Sequence, residues 1–361
     1  MSEAILKKYD PWLSEDGPAA LVKHDYLMSV EGKDSPVFPA TFAAGEDGDF
    51  RGGYNIDRFD GERNVCLIDS VGSQANRMEP LFKREKYKSL VPQIEIKAGE
   101  HTVNLLDAGH RAADAIVRFS ELQESLGHAF KNILDKGDGG PLATIAPTSL
   151  LFGVWDSRET GAKLPRLLSS VIRAYDVDAH HRSAQYIPPI DYVAAGVVDE
   201  PTDKAAKDKL SELGLKHVPS SWKHGGVGVR GFIRRDATLS VVGIRNLAAS
   251  DNGKTLALRR YILGLGLCAM TAPCTHDLRQ GCLLVQDPQR EPECALVRHN
   301  GKREALQLSH EVAMQYAKAA AEAFGVGKSR TVAFDTKAAA DALKESKEEK
   351  KARSRTGTKG G

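Results

Sequence analysis

The chain has 361 residues, 41% of them hydrophobic, so it can bury the core of one large domain or two ordinary ones. Its formal net charge of +2 excludes a globally basic protein, so any nucleic-acid surface must come from local clustering. Five cysteines, an odd number, favour a reducing cytoplasm over a disulfide framework. No apolar signal core or membrane-length segment occurs, so we expect a soluble cytoplasmic protein.

The first third of the chain predicts a strand, an irregular insertion and a turn that leads into a helix. Residues 18–30 read as the first strand, and residues 31–64 show no sustained period. Arginines interleave with aromatic residues in this insertion, which favours a protruding finger over an ordinary surface loop. Residues 66–79 then read as a strand, a small polar turn and a helix that begins near Ser73 and is interrupted at Pro80.

The turn at residues 69–73 is the centre of the functional hypothesis. A helix N-terminus leaves backbone N–H groups free and carries a partial positive charge, so it suits a phosphate. Gln74, Asn76 and Arg77 add hydrogen-bond donors in the first turn. Asp69 precedes the turn and is either its cap or a carboxylate for phosphodiester chemistry, and the cap is favoured.

The rest of the folded region mixes helices and strands without a βαβ period. The predicted elements are a hairpin at 93–106, a helix at 108–135, a buried strand at 142–155, a strand at 167–178, a helix at 203–213, a hairpin at 227–244 turning near Arg235, a helix at 254–270, strands near 282–286 and 294–298, and a helix at 309–323. This order predicts an α+β fold with a ferredoxin-like core and insertions. We expect one domain over residues 1–335, with insertions at 31–64 and 200–245, and a charged disordered tail at 336–361.

Three separate segments carry basic or amide side chains beside turn residues. They are Ser73/Gln74/Asn76/Arg77, Arg158/Lys163/Arg166 and Lys223/His224/Arg230. If the segments share one face, they form a groove for a sugar–phosphate chain. Trp155, Phe50, Tyr54 or Trp222 would then be available for stacking on bases.

Catalytic and cofactor motifs receive less support. No phosphate-cradling P-loop or dinucleotide fingerprint occurs in the right context, and we expect no cofactor. Asp176, Asp178 and His180 alternate along a strand and could converge on a divalent metal, although a solvated strand end is the simpler interpretation. A zinc site lacks the close Cys-x-x-Cys spacing; its ligands would come from Cys268, Cys274, His276 and Cys282.

Three segments resemble one known family. They are Cys66-Leu-Ile-Asp-Ser-Val-Gly-Ser-Gln-Ala-Asn-Arg-Met-Glu79, Leu151-Phe-Gly-Val-Trp-Asp-Ser-Arg-Glu-Thr-Gly-Ala-Lys-Leu-Pro-Arg-Leu167 and Ile172-Arg-Ala-Tyr-Asp-Val177. The sequence resembles CRISPR-associated RAMP proteins, the backbone subunits of the type I-G (formerly I-U) Cascade surveillance complex. The resemblance runs over most of residues 18–325. It implies a modified RRM-like palm with inserted fingers and a thumb.

The resemblance also implies a function and a set of partners. Copies of such a subunit stack head to tail along one CRISPR RNA, without cleaving it, and present its bases for pairing with target DNA in antiviral defence. The implied partners are the CRISPR RNA, the target DNA strand through the guide, further copies of the chain, the large subunit, the RNA-end-capping or processing subunit, and a recruited helicase-nuclease. No membrane partner is implied. The rival hypothesis is a metal-dependent endoribonuclease that uses Asp69 or Asp176/Asp178/His180.

On this resemblance, specific residues take specific roles. Guide phosphates would be bound by Ser73, Gln74, Asn76, Arg77, Arg158, Lys163 and Arg166. The insertion at 31–64 would be a thumb or finger that reaches the neighbouring copy. The aromatic motif of RRM domains is absent, which favours gripping of the RNA backbone from loops over base stacking on the sheet.

Overall fold

The computed structural model of the chain describes residues 2–46, 48, 50–61 and 63–344. Its α-helices are α1 (Ser2–Lys7), α2 (Asp10–Leu13), α3 (Val71–Met78), α4 (Ala115–Arg118), α5 (Gln123–Lys136), α6 (Gly140–Ile145), α7 (Pro147–Phe152), α8 (Lys204–Glu212), α9 (Val241–Arg245), α10 (Asn252–Thr271) and α11 (His310–Phe324). Short 3-10 helices occupy Glu79–Lys83, Lys88–Leu90, Leu105–Asp107 and Arg111–Ala113.

The strands are β1 (Ala20–Ser29), β2 (Thr41–Phe42), β3 (Gly53–Tyr54), β4 (Ile56–Arg58), β5 (Asn64–Asp69), β6 (Ile94–Ala98), β7 (His101–Asn104), β8 (Val154–Trp155), β9 (Lys163–Leu164), β10 (Leu168–Tyr175), β11 (Val177–Tyr186), β12 (Val218–Val229), β13 (Ile233–Ser240), β14 (His276–Arg279), β15 (Cys282–Gln286), β16 (Glu293–Val297), β17 (Arg303–Ala305) and β18 (Arg330–Ala333). The mixture of elements confirms the predicted α+β class.

The main sheet is antiparallel and contains nine strands. Seven of its strands follow the order β14-β15-β1-β13-β10-β5-β4. In addition, β16 pairs with β1 and also with β17. One edge of β1 pairs with β13. The other edge pairs with β16 near the start of β1 and with β15 near its end, so β1 lies in the middle of the sheet. Along β13 every second residue is buried, as expected for a strand with one covered face. The sheet is larger than the four-stranded sheet of a simple ferredoxin-like core.

Helix α10 packs on one face of this sheet, against β13, and α11 packs on α10. Two glycines let α10 approach its neighbours closely, because a Cβ at Gly264 would lie 2.9 Å from the Cα of Ala317 and a Cβ at Gly266 would lie 2.7 Å from Leu239. Small residues on α11, among them Ala313 and Ala320, complete the contact. The resulting core extends to the helices that support α3 and the loop after α7.

Strands β11 and β12 form a separate two-stranded arm, and residues 187–217, including α8, connect their ends. The insertion at 31–64 packs against the base of this arm. Val37 and Val227 exchange backbone hydrogen bonds of 3.0 and 2.8 Å, and the Tyr54 hydroxyl accepts one from Gly226 N–H at 2.8 Å. The described part of the predicted finger is therefore attached to the arm. The second insertion spans β11 to β12 and not 200–245, because β13 belongs to the main sheet.

Most predicted elements occur close to their expected bounds. The first strand, the hairpin of β6 and β7, strand β10 and helices α8, α10 and α11 are confirmed. The interruption at Pro80 is also confirmed, since α3 ends at Met78 and a 3-10 helix with Pro80 in its first turn follows.

Three predicted elements are wrong. Residues 142–155 form helices α6 and α7 followed by the short β8, because a fully buried apolar run has no period that separates helix from strand. The helix expected at 108–135 breaks at Phe119, where Ser120 bridges to Phe334 after β18. The hairpin expected at 227–244 does not form between the described strands, because β12 pairs with β11 while β13 pairs with β1 and β10, and Arg235 lies buried in the middle of β13.

The tail predicted at 336–361 is only partly described. Residues 336–344 are helical, and Asp335 caps them by accepting a hydrogen bond from Ala338 N–H at 2.9 Å. The rest of the predicted tail, residues 345–361, lies outside the described residues. No helix within the described ranges has the length and apolar composition that a membrane span requires.

Candidate nucleic-acid interface

The turn between β5 and α3 is built around a buried carboxylate. Ser70 caps α3, since its Oγ accepts a hydrogen bond from Ser73 N–H at 3.2 Å. Asp69 therefore does not serve as the predicted cap. Its carboxylate accepts hydrogen bonds from Ser73 Oγ at 2.8 Å and Gln74 Nε2 at 2.7 Å. It also forms ion pairs with Arg77 and Arg279, at 3.3 and 3.4 Å.

Gln74 lies beneath α3 and is 3% exposed. Its amide nitrogen is bonded to Asp69, and its carbonyl oxygen accepts a hydrogen bond from Ser170 Oγ at 3.0 Å. Ser170 in turn accepts one from Arg235 Nε at 3.0 Å. Because both ends of the amide are used inside the protein, the predicted role of Gln74 as a phosphate ligand gives way to a structural one.

Arg77 connects α3 to strand β14. Its guanidinium donates to the backbone carbonyls of Leu278 at 2.8 Å and Asp277 at 3.3 Å, in addition to its ion pair with Asp69. The side chain is 39% exposed. Arg77 therefore fixes the orientation of α3 and presents only part of its charge to solvent.

The opposite side of α3 faces a cleft of about 710 Å³. The cleft is lined by Gly72, Asn76, Gly109, His110, Arg111, Gly153, Val154, Trp155, Ser157, Lys163, Leu164, Pro165 and Arg166. Two of the three predicted basic segments thus meet here, through Asn76 from the first and Trp155, Lys163 and Arg166 from the second. Among the described residues that line the cleft, three are cationic and none is a carboxylate, so the cleft attracts anions.

Arg111 forms the floor of the cleft and is 4% exposed. Its Nε lies 2.7 Å from Glu79, and its Nη2 donates to Asn76 Oδ1 at 3.2 Å. Its backbone adopts the left-handed region, at φ +54°, which is uncommon for a residue with a side chain. Burial lowers the pKa of Arg111 and raises the pKa of Glu79 to about 7, against the attraction between the two charges.

Trp155 and Lys163 form the exposed wall of the cleft. The ammonium group of Lys163 lies 5.2 Å from the centre of the indole ring, and Trp155 is 60% exposed. Gly153 allows the wall to approach Arg166, because a Cβ at position 153 would lie 2.9 Å from Arg166 Cγ. Its φ of +78° also favours glycine at this position. The arrangement offers an aromatic face beside two cations, a combination that suits single-stranded nucleic acid.

The loop after Trp155 is folded around Asp156. This buried carboxylate accepts hydrogen bonds from Thr160 Oγ1 at 2.6 Å and from the backbone N–H groups of Glu159 and Thr160. These hydrogen bonds lower the pKa of Asp156 although burial opposes them. Arg158 lies exposed on this loop, next to the cleft wall but outside the lining.

The third predicted basic segment lies elsewhere. Lys223 and His224 are exposed on β12, and Arg230 follows the end of that strand. The His224 ring packs near Tyr54 at 5.1 Å, and Arg230 pairs with Asp178 at 3.2 Å. None of the three basic residues lines the cleft.

The catalytic and metal hypotheses find no assembled site. In the part of the chain that the structure describes, no three His, Cys, Asp or Glu side chains are placed to hold a metal ion. Asp178 pairs with Arg230 on the arm, and His180 packs over Gly228. Of the candidate zinc ligands, Cys268 faces Met314 in the core while Cys274 is exposed.

Sequence reasoning missed Arg111, His110 and Glu79. The segment 108–113 was included in a helical stripe, and no local pattern marks an arginine that turns inward to meet a glutamate on another element. Gly153 had a weak signal, since a glycine between a buried run and a tryptophan often permits a close approach.

The Glu79–Arg111 pair predicts a pH dependence of anion binding. The pKa of Glu79 in the folded state lies above its ordinary 4.5, so protonation of this carboxyl stabilises the fold. The stabilisation is fully present below about pH 4.5 and is lost as pH rises through about 7. Below pH 7 the Arg111 charge is no longer neutralised, so RNA affinity should rise as pH falls from about 8 to about 6. Fluorescence anisotropy of a labelled RNA would measure this rise.

Two variants isolate the contribution of Glu79. At pH 8 the Glu79→Gln protein should bind RNA with the affinity that the unchanged protein has at pH 6. Its RNA affinity should also depend less on pH. His110→Asn removes the imidazole that lines the cleft and should leave the rise in place. An unchanged profile in Glu79→Gln would assign the pH dependence to another group.

Part of the chain is similar to a known protein family. Residues 21–179 match the family described as CRISPR-associated protein GSU0053. The matched segment runs from β1 to the start of β11 and includes every residue that lines the cleft. No curated protein matches the chain.

Proposed function

We propose that this chain, whose residues 21–179 match a CRISPR-associated family, binds the backbone of CRISPR RNA in the cleft beside α3. Several copies would then line one guide RNA and leave its bases free to pair with target DNA. The protein contributes backbone contacts, and base pairing supplies sequence specificity.

The cleft itself is the observation that carries this proposal. It gathers Arg111, Lys163 and Arg166 without a lining carboxylate and places an exposed tryptophan beside them. Phosphate oxygens accept from such cations, and a nucleobase can stack on the indole face. Asn76 adds an amide at the rim, while Gln74 and Ser73 are left out of the proposed contacts because Asp69 engages them.

We further propose that binding occurs without cleavage. Asp69 is 2% exposed, and four side chains already donate to its carboxylate or pair with it. A metal ion or an attacking water would have to displace these partners. No observation favours the nuclease alternative at Asp176, Asp178 or His180.

In the proposed assembly the main sheet acts as an RRM-like palm, and the β11–β12 arm takes the role of the thumb. The arm carries Lys223 and the 77% exposed Trp222 away from the sheet, so it can reach RNA held by a neighbouring copy. A head-to-tail contact of this kind does not close and gives a filament whose length the RNA sets. A large subunit, a subunit that processes or caps the RNA, and a recruited helicase-nuclease are the proposed further partners.

The salt dependence of RNA binding tests the proposal. The logarithm of the affinity for single-stranded RNA should fall with the logarithm of salt concentration, by a slope of about −0.7 for each phosphate neutralised. The two exposed cleft cations, Lys163 and Arg166, therefore contribute about −1.4 to this slope, measured by anisotropy over a salt series. A flat slope, or no binding of RNA, would contradict the proposed function.

A further inference from the structure

A second cavity lies on the other side of α3 from the cleft and has a volume of about 450 Å³. It opens between the end of α10 and the inner face of the sheet. It is lined by Lys23, Asp25, Leu27, Arg235, Thr271, Ala272, Pro273, Cys274, Thr275, His276, Leu283, Leu284, Val285 and Gln286. The RNA-binding proposal does not use this cavity.

The charges at the base of this cavity do not balance. Lys23 and Arg235 both pair with Asp25, the second at 3.1 Å, and Asp25 is the only carboxylate among the described lining residues. The neighbouring Asp69 is shared in the same way by Arg77 and Arg279. Among the residues that line the cavity, two cationic side chains therefore share one carboxylate, which leaves an excess of one positive charge.

The excess charge is held in place by burial. Arg235 is 2% exposed, its Nε and Nη1 donate to Ser170 and Asp25, and its Nη2 has the thioether of Met78 as a weak acceptor at 3.7 Å. Burial and then the Arg235 charge lower the pKa of His276 to about 4, so this imidazole stays neutral. An oxyanion that enters the cavity would meet a positive potential and a strong donor.

The walls of the cavity are apolar. Leu27 and Leu284 share the face of the sheet that carries Lys23 and Arg235, and Ala272 and Pro273 form the opposite wall. A phosphodiester chain has no apolar group for these walls. A peptide that carries a carboxylate next to an aliphatic side chain matches both the charge and the walls.

We propose that this cavity is the docking site for an acidic peptide segment of a protein partner, with a glutamate or aspartate over Lys23 and Arg235 and an adjacent apolar side chain against Pro273 and Leu284. The site is separate from the cleft, so the RNA-binding proposal can fail while this one holds. The converse is also true.

Cys274 gives the test a built-in reporter. It lines the cavity and is the exposed cysteine of the chain, whereas the other four are buried or half-buried. The rate at which iodoacetamide alkylates Cys274 in the full chain, measured by mass spectrometry, reports occupancy. The probe is the acetylated and amidated peptide Leu-Glu-Leu-Glu-Leu, and its matched control has glutamine in place of glutamate.

The glutamate peptide should slow alkylation of Cys274, and the glutamine peptide should not. Lys23→Met removes one cation and leaves Arg235 paired with Asp25, so protection should need roughly tenfold more peptide. Lys254→Met, at an exposed site on α10, is the control and should not change it. Pro273→Glu places a like charge on the wall and should abolish protection even if Lys23→Met proves unstable.

Three results would overturn the proposal. Protection by a single-stranded RNA and not by the peptide would assign the cavity to nucleic acid. Protection that grows with the concentration of the protein alone would assign it to a second copy. Equal protection by both peptides, or by neither, would show that no carboxylate is recognised there.

Discussion

Replacing both cleft lysine and arginine in a Lys163→Ala/Arg166→Ala protein is expected to weaken single-stranded RNA binding by about a hundredfold. Both side chains are exposed at the cleft and line it beside Trp155, so they are free to meet phosphates. The slope of log affinity against log salt should also become shallower by about 1.4, since two phosphate contacts are lost. Anisotropy titrations at several salt concentrations measure both quantities.

A control with the same loss of charge separates the cleft from the net charge of the protein. Lys254→Ala/Lys318→Ala removes two exposed cations from α10 and α11, and neither residue lines the cleft. Its RNA affinity should stay within about twofold of the unchanged protein. If the two double variants bound RNA equally well, the cleft would not be the RNA site.

The second large effect is on stability. Asp69→Ala should lower the free energy of unfolding by about 3 kcal/mol, because Arg77 and Arg279 lose their shared carboxylate and Gln74 loses its acceptor. The two arginines are 39% and 27% exposed, so the expected loss lies at the low end for buried pairs. Urea unfolding followed by circular dichroism measures it.

Asp178→Ala is the matched control, because it removes a carboxylate whose side chain is 54% exposed and pairs with the exposed Arg230. It should change stability by less than about 1 kcal/mol. A nuclease that used Asp69 would behave differently. It would cleave RNA in the presence of a divalent metal, and Asp69→Ala would abolish cleavage while the fold stayed as stable as before.

The sequence predicted elements whose pattern is local. Strand β10 and helices α10 and α11 have unambiguous periods or capping residues, and Asp251 and Ser309 do cap the two helices. The run at 142–155 failed because most of its apolar residues are buried, and a helix buried on every side loses the 3.6-residue period. The hairpin predicted at 227–244 failed for another reason: its first residues end β12, which pairs with β11, whereas β13 joins the main sheet.

The candidate site was predictable in part. The stretches at 66–79 and 151–167 supplied Asn76, Trp155, Lys163 and Arg166, which do line one cleft. The pattern could not show that Gln74 points inward, since that depends on Ser170 and Arg235 from distant strands. It also could not place Arg111, whose position depends on its contact with Glu79 across 32 residues of chain.

The most direct test of the central claim is the mass of the purified protein with guide RNAs of increasing length, measured by native mass spectrometry. The account predicts that the number of copies bound rises in steps with RNA length, and that the Lys163→Ala/Arg166→Ala protein does not form these assemblies. A single copy per RNA at every length, or assemblies of one size with and without RNA, would contradict it.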